Sequence, residues 1–257
     1  MTRILALEGV ENFRDFGDYA AADGRRMAKG RFWRSAHHGK ATAADLAAID
    51  ALDLAVVVDL RRPKERDNEP TPRPPGFRGQ VIDCDFGDQA EAPHVAFLRE
   101  TDLTPDSVRA FFADYYAKAP FEPRHAELFR QYFQAIDQMD GAVLIHCTAG
   151  KDRTGLLAAL THHVLGVHRD DAVADYMLTN VAARLEARAP MVAKALEQSL
   201  GKIPSDVAVR AFLGVEPAYL EMALETIVAE RGSMDAYLAE LGVDAAMTDR
   251  LRAKLLD

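Results

Sequence analysis

Cysteine is nearly absent: Cys84 and Cys147 are the only two in 257 residues. Two cysteines build no disulfide framework. In a reducing compartment a lone thiol serves instead as a metal ligand, a nucleophile or a small core residue. Long apolar runs are missing too. No stretch approaches the roughly 18 uninterrupted apolar residues of a membrane span. The opening MTRILALEGVENFRDFG carries Glu8, Glu11 and Asp15 close to its short apolar run, so it lacks the core of a secretory signal. The expectation is a cytoplasmic protein without a transmembrane segment. Positive charge is in deficit, with 31 Lys and Arg against 40 Asp and Glu and a net charge of −9. That excludes a general affinity for nucleic acid or for an anionic membrane. An anionic substrate must be attracted by a local field. Repeats and low-complexity tracts are absent as well.

What is present is an ordinary globular composition, 49% hydrophobic and 28% charged, long enough for a sizeable core. A single domain over 1–257 is expected. NFRDFGDYAAADGRRMAKGRFWRSA holds short β-like pieces around Asp23-Gly24, the pattern of a hairpin. ATAADLAAIDALD predicts a helix with Thr42 as its N-cap and Asp45 at the third position. LAVVVDLR predicts a buried strand, RRPKERDNEPTPRPPGFRG a loop, and QVIDCDF a second strand. Residues 87–138 hold several helical stretches rich in aromatics, expected as core or as a helical lid over a site. GAVLIH is a third strand. TGLLAALTHHVLG, apolar almost all round, predicts a central helix. From 170 to 257 the chain is expected to be helical, with Pro217 starting one helix, Gly232 closing it and Ser233 capping the next. Strands alternating with helices define an α/β fold with a mostly parallel sheet.

The scarce thiol sits in HCTAGKDRTG, residues 146–155, between a strand and a helix. A loop at the C-terminal end of a sheet is where open α/β folds bind ligands. Its amides and the helix N-terminus make an anion site. Such a site with nearby cations lowers a thiol pKa and turns Cys147 into a nucleophile. Arg153 is a planar fork for two phosphate oxygens. Lys151 adds charge, and the Thr154 hydroxyl can stabilise the sulfur. Thr148, Ala149 and Gly150 supply the backbone cradle, and Gly150 and Gly155 permit tight turning. His146 can brace the loop by hydrogen bonds. Phosphoryl transfer also needs an acid. Asp152, inside the loop, is nearest; Asp85 and Asp88 of CDFGDQ are the reserves.

Other readings of this loop fail. A nucleotide P-loop would need glycine at Ile145 and Ser or Thr at Asp152. His146, Cys147, His162 and His163 do not have zinc-site spacing, and His162 and His163 read as ordinary helix residues. No metal and no cofactor are expected. Cys84 reads as a small buried strand residue, with a redox partnership for Cys147 as the alternative.

HCTAGKDRTG resembles the active-site loop of cysteine-dependent phosphatases, and more narrowly that of the atypical bacterial tyrosine/serine phosphatases, some of which dephosphorylate phosphoinositides. ENFRDFGDY, GRFWRSAH, VVVDLRRPKER, DYMLTN and GSMDAYLAELGV are similar to further stretches of that family. The resemblance implies a phosphatase fold and a two-step reaction with Cys147 as nucleophile, Arg153 as phosphate clamp and Asp152 as acid. It departs from the Trp-Pro-Asp acid loop of other relatives, since Trp33 is followed by Arg34 and Ser35. It also implies a helical lid, and Lys151 makes phosphoinositides plausible beside phosphoproteins as substrates. Asn12 and Arg14 of NFRD, with Asp15, are expected to line or brace the pocket. Arg61, Arg62 and Arg66 are expected to be structural or solvated, with substrate contact as the alternative. Two rival functions stay open at this point: an inactive phosphate-binding module, or another thiol enzyme such as a sulfurtransferase or an arsenate reductase. The oligomeric state is not legible.

Overall fold

A computed structural model describes residues 3–74, 76–86 and 92–257. Five strands form one sheet: β1 (Arg14–Asp15), β2 (Phe32–Ser35), β3 (Leu54–Asp59), β4 (Gln80–Ile82) and β5 (Ala142–His146). Their spatial order is β1-β2-β5-β3-β4. β1 is antiparallel to β2, and every other pair is parallel. β5 therefore lies mid-sheet, with its C-terminal end beside those of β2 and β3. The loop expected to bind phosphate leaves from that end.

Helices make the crossovers. α1 (Ala43–Asp50) joins β2 to β3, and α2 (Pro63–Asn68) joins β3 to β4. α3 (Pro93–Glu100), α4 (Pro105–Lys118), a 3₁₀ turn at Ala119–Phe121 and α5 (Pro123–Gln138) lie between β4 and β5. α6 (Asp152–Val164) follows the loop. The C-terminal part is helical, as expected: α7 (Arg169–Met177), α8 (Thr179–Ala182), α9 (Leu185–Leu200), α10 (Asp206–Leu213), α11 (Pro217–Arg231), α12 (Met234–Glu240) and α13 (Ala245–Leu255). None of the helices among the described residues is long and apolar enough to cross a membrane.

Local chemistry explains the boundaries. Thr42 caps α1 in a reciprocal box with Asp45, and the Asp45 carboxylate also accepts from the amides of Glu8 and Gly9. Pro217 opens α11, Gly232 ends it at φ +81°, and Ser233 caps α12 through the Ala236 amide. The Asp23-Gly24 turn forms, but as a short excursion held by an Ala20–Arg26 bridge; Arg14 pairs with Arg34 in the sheet.

Alternation along the strands separates two apolar layers. Ala142 and Leu144 of β5 pack with Leu7, Val10, Phe13 and Ile49 on one face. Val143, Ile145 and Cys147 face the larger core of α5, α6 and the C-terminal helices. Leu156, Leu157 and Leu160 make α6 the fully buried centre of that core. The described part of the stretch 87–138, expected as core or as a helical lid, divides in two. α5 buries Leu128, Phe129, Tyr132 and Phe133 completely and is a core helix against the sheet. α3 and α4 contribute His94, Phe111, Phe112 and Tyr115 to a cavity at the sheet's C-terminal edge.

Candidate active site

The loop after β5 is shaped from outside. The carbonyl of Thr148 accepts from the His37 amide at 3.1 Å. The side-chain amide of Asn12 donates to the carbonyls of Ala149 (3.1 Å) and Gly150 (2.8 Å). Arg34 Nη2 donates to Gly150 (3.0 Å) and Lys151 (3.4 Å). These peptides are trans, so each N–H points opposite to its carbonyl. Fixing four carbonyls outward therefore turns the amides of Ala149, Gly150, Lys151 and Asp152 inward, the last at the start of α6. Cys147, Thr148, Ala149, Lys151, Asp152 and Arg153 all line the same cavity, which encloses about 190 Å³. Gly150 is required at its position. Its φ is +64°, and a Cβ there would lie 2.3 Å from the Ser35 carbonyl carbon.

Arg153 is oriented by a residue that the sequence reading missed. Glu65 takes both ends of its fork, Nη1 at 2.7 Å and Nη2 at 2.8 Å. Nη1 also donates to the Leu60 carbonyl, and Nη2 to the Thr148 hydroxyl at 3.2 Å. That hydroxyl in turn donates to Glu65. Burial would raise the Glu65 pKa, but the Arg153 guanidinium outweighs it and holds the carboxyl well below the usual range. A signal for Glu65 did exist. Arg62-Pro63 followed by Glu65 has the spacing of a helix start with Pro at the first position, and the Glu65 carboxylate accepts from the Arg62 amide at 2.8 Å.

Behind the loop lies a buried charge cluster. Asp175, on α7, receives Arg14 Nε at 3.2 Å and Arg34 Nη1 at 2.6 Å. Arg14 also donates to Asn12 Oδ1, which fixes the amide that grips the loop. All four side chains are buried. Burial alone would raise the Asp175 pKa; Arg14 and Arg34 overcome it and set it at about 2. Removing its charge strands two buried guanidinia. Asp175→Asn should destabilise the fold by about 3 kcal/mol or more, read as the denaturant midpoint at pH 7. The folded pKa lies below the unfolded 3.8, so the carboxylate's stabilisation is present above pH 3.8 and fades as pH falls toward 2. The stability gap between wild type and variant should shrink over that window. A gap under about 1 kcal/mol at pH 7 would mean the cluster does not hold the loop.

Asp152 lies at the cavity wall and accepts from the Tyr116 hydroxyl at 2.8 Å through Oδ1. That bond uses the Tyr116 proton, so Tyr176, 2.7 Å away, donates to Tyr116. Lys151 departs from expectation. Its ammonium donates to the carbonyls of Phe212 (2.8 Å) and Gly214 (3.1 Å) and lies 4.1 Å from the Phe112 ring centre. It ties the loop to α4 and the end of α10 instead of standing free for phosphate. Phe111, Phe112 and Tyr115 of α4, His94 of α3 and Phe212 of α10 complete an aromatic wall.

The other expected residues fall as follows. Asn12 and Arg14 brace the loop from behind, as above. Asp15 does not reach the cavity; it caps a turn through the amides of Gly17 and Gly30. Asp85 is exposed, paired with Arg66, and outside the cavity. Asp88 lies outside the described residues. Among the described residues His146 has no side-chain hydrogen-bond partner, contrary to expectation. Its ring is buried and stacks on His38 at 5.1 Å. Burial lowers its pKa to about 4 despite Asp59 nearby, so it is neutral at pH 7. The Thr154 hydroxyl is buried, with no hydrogen-bond partner among the described residues. Arg61 pairs with Asp59, and Arg62 with Glu122 at 2.5 Å. Cys84 is buried, its sulfur accepting from the Phe86 amide at 3.4 Å. His162 is buried and bonds the Phe16 carbonyl; His163 is exposed beside Asp235.

A mostly parallel sheet in an α/β fold, carrying a thiol, a guanidinium and inward amides in one loop, is the arrangement of a phosphatase. The sequence profile of the tyrosine phosphatase family matches residues 5–257. The chain belongs to that family and is a phosphatase. It is 35% identical over 243 residues to a Cupriavidus necator protein provisionally named a tyrosine-protein phosphatase, covering 94% of this chain and 85% of that one. It is 30% identical over 282 aligned positions to the triple specificity protein phosphatase PtpB of Mycobacterium tuberculosis, covering 98% and 99%. A tyrosine-protein phosphatase of Nostoc commune is 29% identical over 232 positions, covering 87% and 74%.

Proposed function

We propose that the protein hydrolyses phosphotyrosine, and more slowly phosphoserine and phosphothreonine, in protein substrates through a phosphocysteine intermediate on Cys147. The observation that carries this reading is the outward fixing of four loop carbonyls, which aims four amides at the space shared by Cys147 and Arg153. Those amides and the guanidinium hold three phosphoryl oxygens and stabilise the charge of the transition state. The Cys147 sulfur attacks phosphorus as the bond to the leaving oxygen breaks. Asp152 gives that oxygen its proton. Tyr116 occupies Oδ1, so the proton rides on Oδ2. In the second step Asp152 takes a proton from water, the water oxygen attacks phosphorus, and the S–P bond breaks to release phosphate and thiolate.

A relative named for triple specificity accords with a range wider than one phosphoamino acid. Phosphoinositides lose part of their sequence argument, because the Lys151 ammonium is committed to two carbonyls. The test is a panel of phosphotyrosine, phosphoserine and phosphothreonine peptides beside phosphoinositides. Turnover of phosphotyrosine peptides with chelator present and vanadate inhibition is expected. Turnover of phosphoinositides alone would refute the substrate, and none on any phosphoester would refute the activity. Asp152→Asn should lower kcat/KM, which reports the first step, by about 100-fold for phosphoserine peptides and far less for p-nitrophenyl phosphate, because only the poor leaving group needs a proton. An unchanged kcat/KM for the phosphoserine peptides would mean that Asp152 is not the acid.

A further inference from the structure

Three arginines and a lysine line the cavity: Arg62, Lys151, Arg153 and Arg188. Three are already matched. Arg153 is held by Glu65, Arg62 by Glu122, and Lys151 by two carbonyls and an aromatic face. Arg188, in the first turns of α9, is the fourth. Among the described residues its guanidinium has no hydrogen-bond or ion-pair partner, and it is half-buried against the cavity. Its neighbours on the chain are otherwise engaged: Arg184 pairs with Glu11, and Glu186 with Arg210.

An unmatched guanidinium on the wall of a phosphate pocket leaves five donors for a second anionic group on the substrate. We propose that Arg188 is a specificity-determining residue that binds a carboxylate side chain within a few residues of the phosphoresidue in a protein substrate. The proposal rests on the phosphoprotein reading above. Two observations favour a carboxylate over a second phosphate. A single free positive charge matches one negative charge, whereas a second phosphate carries close to two and would need another cation; Lys151 and Arg62 have none to spare. The net charge of −9 also sets the chain against an anionic lipid surface. A lone acidic side chain meets that repulsion only locally.

The experiment compares phosphotyrosine peptides carrying Glu or Ala at each of two positions on either side of the phosphoresidue. The readout is the ratio of kcat/KM for the acidic and neutral peptides, each enzyme being measured against itself so that losses in folding or loop geometry cancel. The wild type should prefer the best acidic peptide by about tenfold, through KM and less so at high salt. Arg188→Gln should bring the ratio to about one, and Arg188→Glu should invert it toward Lys-bearing peptides. A ratio unchanged in both variants, or near one in the wild type, overturns the proposal. Equal turnover of all peptides with an Arg188-dependent preference for inositol bisphosphate over monophosphate would also overturn it, giving Arg188 to a second phosphate. Failure of the phosphoprotein reading has a different signature: no turnover of any peptide by the wild type.

Discussion

Replacing Cys147 with serine should lower turnover of phosphotyrosine peptides by at least about 10⁴-fold while leaving their binding within about threefold of wild type. The two effects separate because the sulfur and the cradle are built by different groups. Attack depends on a polarizable thiolate, and a serine hydroxyl at the same position keeps its proton near neutral pH. Phosphate affinity depends on the amides of 149–152 and on Arg153, whose positions are fixed by Asn12, Arg34, His37 and Glu65. None of these bonds involves the sulfur. Isothermal titration of the variant beside steady-state assays gives both numbers. An inactive phosphate-binding module would behave otherwise, with wild type and variant binding alike and neither turning over. Retained turnover in the variant would remove Cys147 from the reaction.

Arg153→Lys should lower kcat/KM by about 10³-fold, the second largest effect expected. Lysine keeps the charge but offers a point in place of a planar fork. Both ends of the Arg153 fork are engaged, Nη1 with Glu65 and Leu60 and Nη2 with Glu65 and the Thr148 hydroxyl, and this fixes the plane of the group beside the loop amides. An ammonium has three hydrogens for those four contacts, so it cannot keep them and also reach phosphate. Vanadate affinity should fall in parallel, because the anion occupies the same cradle. A large rate loss with vanadate affinity unchanged would mean that Arg153 serves the fold and not the phosphate.

The sheet and the loop were legible because their signals are local. The run AVLIH, the scarce cysteine and the following glycine and arginine lie within about a dozen residues, Thr42 and Asp45 are three apart, and Pro217 and Gly232 bound one helix. Apolar residues almost all round also marked α6 as central. The groups that aim the loop were not legible. Asp175 is 141 residues from Arg34 and 161 from Arg14, and nothing near any of the three announces a partner. Asn12 reaches the loop across 137 residues, so NFRD could be named as a brace only through its resemblance. Glu65 was overlooked because Pro-rich, charged RRPKERDNEP reads as loop, whereas Pro63–Asn68 within it is a helix. Lys151 shows the opposite failure. Its place in the motif is local, but its direction is set by the carbonyls that close α10 and by the ring of Phe112, which sequence does not place. The aromatics of 87–138 divided between core and cover by the turn each occupies on its helix, and the stretch as a whole carries no such distinction.

The central claim is that phosphate passes through the sulfur of Cys147. Rapid-quench mass spectrometry of the wild-type protein mixed with a phosphotyrosine peptide tests it directly. Within the first turnover, the fragment containing Cys147 should carry the mass of one phosphoryl group, with the label lost at the rate of steady-state turnover and absent from the Cys147→Ser protein. Full turnover with the phosphoryl group on no residue, or on a residue other than Cys147, would contradict the account.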